Sequence, residues 1–351
     1  MNTTTAWGAP SGGAPLEAMT IDRREMRDDD VRIAIDYSGI CHSDIHTVRD
    51  EFGPRTYPLV PGHEIVGRVT QVGPAVTRHQ VGDRVGVGVF VDSCGQCAPC
   101  QAGEQSYCDN GPTMTYGAEN KYAGGEYTQG GYAREIITKE AFVVRIPEAL
   151  DSASAAPLLC AGITTYSPLK HFGAGPGKRV AIVGMGGLGH VAVKIAVAMG
   201  AEVTVFSHSD RKREDALAFG ARELIPTAQG LNDDYLNYFD LIVNSVSVDL
   251  DVAEYMQLLR FDGAFVQLGL PNEPLQVPAR AFTSKRRKLS GSLVGGIPET
   301  EEMLQFCADH DVTPEIEVID ADYINRAYDR TVASDVRYRF VIDARTISKT
   351  L

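Results

Sequence analysis

The stretch that most constrains this chain's fold runs from Arg179 to Phe206. Arg179-Val180-Ala181-Ile182-Val183 is a short apolar strand, and Gly184-Met185-Gly186-Gly187-Leu188-Gly189 follows at once. From His190 to Ala196 the apolar residues keep helical spacing, the pattern ends at Gly200, and Glu202 to Phe206 is a second strand. A G-x-G-x-x-G run alone is weak evidence; strand, glycines, helix and strand in that order are strong evidence for a dinucleotide-binding unit. The glycines let the backbone approach a pyrophosphate, which sits against the helix N-terminus. Phe239 to Asn244 and Gly263 to Gly269 read as further strands, Asp215 to Phe219 and Leu250 to Leu259 as helices. Such a run predicts an α/β fold with a doubly wound parallel sheet of the Rossmann kind.

The end of the second strand discriminates between nicotinamide cofactors. An NAD site places Asp or Glu there, about twenty residues beyond the glycines, to take the ribose hydroxyls. Here the run is Ser207-His208-Ser209-Asp210-Arg211-Lys212, with hydroxyls and cations where the acid should stand. A 2′-phosphate suits that run, so NADP is favoured. Asp210 is its one acid, placed either to cap the next helix or to weaken phosphate binding.

Two groups of metal-type donors flank this unit. Cys41-His42-Ser43-Asp44 is followed about twenty residues later by Pro61-Gly62-His63-Glu64. A zinc ion with three protein ligands and one open position needs such donors. Cys41 and His63 supply two; the best candidate for the third is Cys160, in Leu159-Cys160-Ala161-Gly162. Two readings fit Asp44: it fixes the metal-binding tautomer of His63, or it is simply an acid at a helix N-terminus. Two also fit Glu64, which could approach the metal when water or substrate leaves, or stay outside its shell.

The second group is tighter. Cys94, Cys97 and Cys100 are spaced by two residues each, and Cys108 follows. Four thiolates this close can form a tetrahedral cage with no open position, which reads as structural zinc. An iron–sulfur cluster is one rival, but such motifs end on a shorter spacing and Cys-Pro, whereas Asp109 follows Cys108. A nucleic-acid-binding zinc ribbon is the other, and the net charge of −13 disfavours it.

At 351 residues the chain is long enough for two domains. The seven cysteines gather in motifs that suit reduced thiolates on metal better than disulfides. No apolar run approaches a membrane span, and Met1 to Pro15 lacks the basic and apolar regions of a signal peptide. A cytoplasmic enzyme acting on a small molecule is expected, with no nucleic-acid or membrane partner. Lys285-Arg286-Arg287-Lys288, the one compact basic run, reads as a solvated turn or strand entry.

The first ninety residues are β-rich. Val31 to Tyr37 alternates as a half-buried strand and delivers Cys41 at its end. Ile65 to Gly73 starts directly after His63-Glu64, and the repeated glycines of Gln80 to Val89 fit a small curved barrel. Thr113 to Gln129 reads as a polar loop over a pocket, and Gly131 to Ile137 returns to strand character. Glu299 to His310 is an amphipathic helix, Arg337 to Ile342 a final strand, and Cys307 a buried helix residue.

In Cys41-His42-Ser43-Asp44 with Gly62-His63-Glu64, and in the Cys-His-Ser/Thr-Asp-x-His pattern that runs through His46, the chain resembles the zinc-dependent medium-chain alcohol dehydrogenases. The branch it looks most like is the cinnamyl-alcohol-dehydrogenase-like one. The resemblance implies a GroES-like catalytic domain over 1–155 and 292–351, with a structural-zinc lobe near 91–110, and a Rossmann NADP-binding domain over 156–291. It implies two zinc ions per chain, one on Cys41, His63 and Cys160, the other on Cys94, Cys97, Cys100 and Cys108. Ser43 then holds the substrate oxygen and starts a proton relay that passes through the cofactor ribose to His46, with Glu51 a possible outer acceptor. Thr164 touches the nicotinamide, the Gly184–Gly189 run holds the pyrophosphate, and Ser207, Ser209 and Lys212 meet the 2′-phosphate. Plant members of the branch carry a tryptophan in the loop over the pocket; here the only tryptophan is Trp7, and that loop offers Tyr116 and Tyr122.

The expected chemistry is reversible oxidation of a primary alcohol, aromatic or allylic, to an aldehyde, with hydride passing to the nicotinamide and zinc as Lewis acid. Polyol dehydrogenases of the superfamily often have Glu in place of the third-ligand cysteine, and Cys160 points away from them. Reduction of an iminium or conjugated C=C bond on the same scaffold is the alternative, and a non-catalytic nucleotide-binding protein should have lost a ligand. A homodimer through the cofactor-domain edge is expected by analogy.

Overall fold

The computed structural model describes residues 2–271 and 273–348. The chain divides into two compact units: Met1–Cys160, Gly295–Asp309 and Thr313–Leu351 form the first, Ala161–Val294 and His310–Val312 the second.

The first unit is organised on the strand Asp30–Gly39, in which Val31, Ile33 and Ile35 are buried. It pairs antiparallel with Ile65–Val72, with Glu135–Lys139 and with Arg339–Asp343. The seven-stranded sheet runs outward through Arg84–Val87 to Val143–Arg145 on one side and to Ile316–Ile319 on the other. Register shifts between Arg32 and Ile33 and between Ile35 and Tyr37 mark bulges that bend it. Side chains such as Ile65, Val85, Val87, Phe340 and Ile342 complete one core. A hairpin of Asn2–Gly8 and Glu17–Arg23 lies in the same unit.

Two sequence expectations change here. The strand expected from Gln80 starts only at Arg84, because Gln80 to Asp83 form a turn in which the Gln80 N–H donates to Asp83 Oδ2 at 3.1 Å. The segment read as a polar loop holds two short ladders, Phe90–Asp92 with Thr113–Met114 and Glu119–Asn120 with Glu126–Tyr127. Two-residue strands are too short to show an alternating pattern.

The second unit is a six-stranded parallel sheet. Arg179–Val183 lies centrally, flanked by Glu202–Ser207 and then Glu223–Pro226 on one side, and by Phe239–Asn244, Leu259–Gln267 and Lys288–Gly291 on the other. Numbered in chain order this is the 3-2-1-4-5-6 arrangement of dinucleotide-binding folds, whose order reverses beside the first strand. Phe206, Phe239, Phe265 and Met256 fill its core. The basic run 285–288 is not wholly solvated. Arg287 is buried, its guanidinium donating to Leu259 O at 2.8 Å, to Asn237 Oδ1 at 2.9 Å and to Gln257 O at 3.0 Å.

Candidate active site

Cys41 leaves the end of the strand Asp30–Gly39 and stands at the N-cap of the helix His42–Val48. His63 and Glu64 immediately precede the strand Ile65–Val72. Cys160 sits in a π-helical turn, Leu158–Gly162, where an irregular winding re-aims a side chain. That turn packs closely on the sheet: a Cβ at Gly88 would meet Leu159 O at 2.9 Å, so a side chain there would push Cys160 away.

These three segments bring ligand atoms of Cys41, His63, Glu64 and Cys160 within 4.8 Å of one another, all four residues being buried. The two sulfurs are 4.0 Å apart, and His63 Nε2 is 3.3 Å from Cys160 Sγ. The other imidazole nitrogen, Nδ1, donates to Asp44 Oδ1 at 3.0 Å. Asp44 therefore makes the tautomer-fixing contact, and it also closes the helix N-terminus by accepting from the Cys41 N–H at 2.9 Å. Both sequence readings of Asp44 hold at once.

The electrostatics describe a group of donors sharing protons. The hydrogen bond from Cys160 holds the Cys41 thiol well below its usual range, and the same contact with burial pushes Cys160 up. Burial opposes protonation of His63, but the Asp44 charge and hydrogen bond outweigh it and raise its pKa well above the ordinary value. Burial lifts Glu64 to about 7 even with Arg339 beside it. Arg339 donates to Glu64 Oε1 and to Ile40 O, while Glu64 Oε2 is buried without a hydrogen-bond partner among the described residues. Buried polar atoms are rarely left so. Two thiols, an imidazole and a buried carboxylate gathered this closely are a donor set that fits a divalent zinc ion, which would take the place of the shared protons.

Ser43 Oγ lies 3.6 Å from Cys41 Sγ. His46, one turn along the helix, pairs through Nδ1 with Glu51 and rests against Phe52 with ring centroids 5.1 Å apart. It is partly exposed.

Cys94, Cys97, Cys100 and Cys108 also converge, their sulfurs all within 4.8 Å of one another. Hydrogen bonds from the Gln96 N–H, the Asn110 side chain and the Cys97 N–H hold the Cys94 thiol down at about 6, so thiolate forms readily at neutral pH. Cys100 Sγ donates to Ser93 Oγ at 3.3 Å. Among the described residues the donor group consists of these four thiols alone, which fits a closed structural ion.

The two tyrosines of the expected loop turn to different neighbours. Tyr116 is buried and stacks on the His63 ring with centroids 5.7 Å apart. Tyr122 turns to the cysteine lobe, donating to Gly111 O at 2.8 Å with its hydroxyl 3.8 Å from Cys108 Sγ. Tyr132 and Arg339 were not among the sequence candidates. Of the two, only Arg339, a cation at the start of an apolar strand, carried a signal.

In the second unit the strand Arg179–Val183 runs into Gly184–Leu188, and the helix Gly189–Ala198 begins at once. A Cβ on Gly189 would meet Gly184 O at 2.0 Å, so the strand-to-helix turn needs glycine there. His190 Nδ1 lies 3.0 Å from Gly186 O and steadies the run that also holds Gly187. Ser207 ends the strand Glu202–Ser207, with Ser209 and Lys212 in the turn beyond. Lys212 Nζ donates to Met185 O at 2.7 Å, which joins the basic turn to the glycine run. Asp210 O accepts from the Arg213 N–H. Thr164 is in the first turn of the helix Ile163–His171.

Known proteins match along the whole chain. Residues 27–148 match the alcohol dehydrogenase GroES-like domain, and 187–309 match the zinc-binding dehydrogenase family. An NADP-dependent alcohol dehydrogenase C of Mycolicibacterium smegmatis is 56% identical over 99% of both chains. A cinnamyl alcohol dehydrogenase from Sorghum bicolor superposes with a TM-score of 0.94, at 40% identity and 99% coverage of both chains. The CAD of Helicobacter pylori, solved with NADP(H), gives 0.92 at 36% identity and 98% coverage of both. Matched end to end at this identity, the chain belongs to the zinc-binding alcohol dehydrogenases with a GroES-like domain.

Proposed function

We propose that this chain interconverts primary alcohols and aldehydes, aromatic or allylic ones foremost, with NADP(H) as hydride carrier and two zinc ions per chain. The observation that carries this reading is the buried convergence of Cys41, His63 and Cys160 with the Glu64 carboxylate. The names of its relatives, NADP-dependent alcohol dehydrogenase and cinnamyl alcohol dehydrogenase, support the substrate class.

Cys41, His63 and Cys160 would hold the catalytic ion, and Cys94, Cys97, Cys100 and Cys108 the structural one. The catalytic ion, when bound, supplies a Lewis acid that stabilises negative charge on the substrate oxygen. Ser43 Oγ takes the substrate hydroxyl's proton in oxidation and returns it in reduction. His46 and Glu51 pass protons between the site and water. Glu64, balanced by Arg339, keeps a carboxylate at the edge of the donor set. The Gly184–Gly189 run cradles the pyrophosphate, Ser207, Ser209 and Lys212 take the 2′-phosphate, and Thr164 contacts the nicotinamide.

Six cysteines in metal-type groups fit a reducing cytoplasm. The second unit's sheet ends in the strand Lys288–Gly291, where Leu289 is exposed, as are Leu293 just after it and Leu270 just after the neighbouring strand Leu259–Gln267. An open edge with apolar side chains favours a homodimer joined there. The deciding experiment is reduction of an aromatic aldehyde by the zinc-loaded protein with NADPH and with NADH. NADPH should be preferred at least about tenfold in kcat/KM. Preference for NADH would overturn the phosphate pocket, and no turnover with either would overturn the dehydrogenase reading.

A further inference from the structure

Asp44 is fully buried, and its carboxylate gathers two segments distant in sequence. Oδ1 accepts from His63 Nδ1 at 3.0 Å and from the Gly62 N–H at 3.2 Å. Oδ2 accepts from the Cys41 N–H at 2.9 Å and from Tyr132 Oη at 3.0 Å. Three of these four donors belong to the ligand-bearing segments themselves, so they move with the ligands. Tyr132 is the one that comes from outside.

Tyr132 is built into that position. It is fully buried, and its backbone N–H donates to Pro61 O at 3.0 Å while its carbonyl accepts from the Trp7 N–H at 2.8 Å. Gly62 has φ +106, and a Cβ there would stand 2.6 Å from Tyr132 Cδ1, so the ring lies flush on the residue preceding His63. Burial and the Asp44 charge push the phenol well above its usual range, which keeps the proton on Oη and makes it a permanent donor. Tyr328 meets the Tyr132 ring edge-on with centroids 6.5 Å apart, and its own buried hydroxyl does not bond Asp44.

From this geometry we infer that Tyr132 is a positioning residue for the catalytic metal centre: its O–H holds the Asp44 carboxylate at the angle that fixes the His63 ring and the Cys41 backbone together. Groups that orient a metal-bound histidine typically change metal affinity about ten- to a hundredfold when removed, and Tyr132 acts one contact further out. The inference rests on the proposed ligand set of Cys41, His63 and Cys160.

The test is Tyr132→Phe, which keeps the ring, with Tyr328→Phe as the comparison that removes a neighbouring buried hydroxyl not bonded to Asp44. Each protein is loaded with Co2+, and the catalytic-site affinity is measured by chelator competition alongside the visible absorption of the bound ion. Tyr132→Phe should bind the catalytic ion roughly three- to tenfold more weakly and shift its absorption band, with the quartet ion retained. Tyr328→Phe should leave both unchanged. If Tyr132→Phe matches the parent in affinity and spectrum, or if both variants shift equally, Tyr132 only fills space and the inference is overturned. A parent protein that binds only the quartet ion would instead remove the ligand set on which it rests.

Discussion

Ser207 closes a strand with a hydroxyl at the place where an NAD site needs a carboxylate. Ser207→Asp is therefore expected to cut kcat/KM for NADPH by about a hundredfold, since like charges brought together cost several kcal/mol, and to raise it for NADH. Steady-state kinetics with both cofactors check this; unchanged NADPH kinetics would place the phosphate elsewhere. At this scale the donor residues were legible because chemistry restricts their type: a thiolate or an imidazole in a motif has few other uses. Tyr132 and Arg339 were hidden for the opposite reason. Each reaches the site from a segment with no motif of its own, and nothing in the chain links Tyr132 to Asp44 until the backbone pairs residues 130–132 with 60–62.

Arg287 shows how an element hides its stabilising contacts. Read in sequence it belongs to a charged turn, but the turn folds back so that its guanidinium donates to the carbonyls of Leu259 and Gln257, at the start of the strand Leu259–Gln267 and the end of the helix Val252–Leu258. Arg287→Ala should cost about 3 kcal/mol, because several buried acceptors lose a charged donor. Arg286→Ala should cost much less, since its ion pair with Asp262 lies at the surface. Denaturant unfolding distinguishes them, and equal effects would contradict the burial argument. The strands of the second unit were readable because both faces are covered and the apolar runs are continuous. The two-residue ladders within 113–127 were not, since their register comes from Thr113 pairing with Asp92 and Glu119 with Tyr127 rather than from pattern.

Over the whole molecule, acid sensitivity follows from buried carboxylates such as Asp30. Burial pushes its pKa up, but hydrogen bonds from Arg24, from the Arg27 side chain and from the Arg27 N–H outweigh burial and hold it below the usual value. A depressed folded pKa means that the stabilisation is complete above the unfolded value of about 4 and is lost as pH falls through the folded one. Asp30→Asn should thus cost about 2 kcal/mol at pH 7, with the deficit shrinking as the pH drops below about 4. A deficit independent of pH in denaturation curves would show that the charge is not what matters. The central claim, that Cys41, His63 and Cys160 hold a catalytic ion beside a separate closed cage, is tested most directly by the zinc content of the pure protein. Two zinc ions per chain are expected, falling to one in Cys160→Ser with the quartet ion kept. One ion in the parent protein, unchanged by that substitution, would contradict the account.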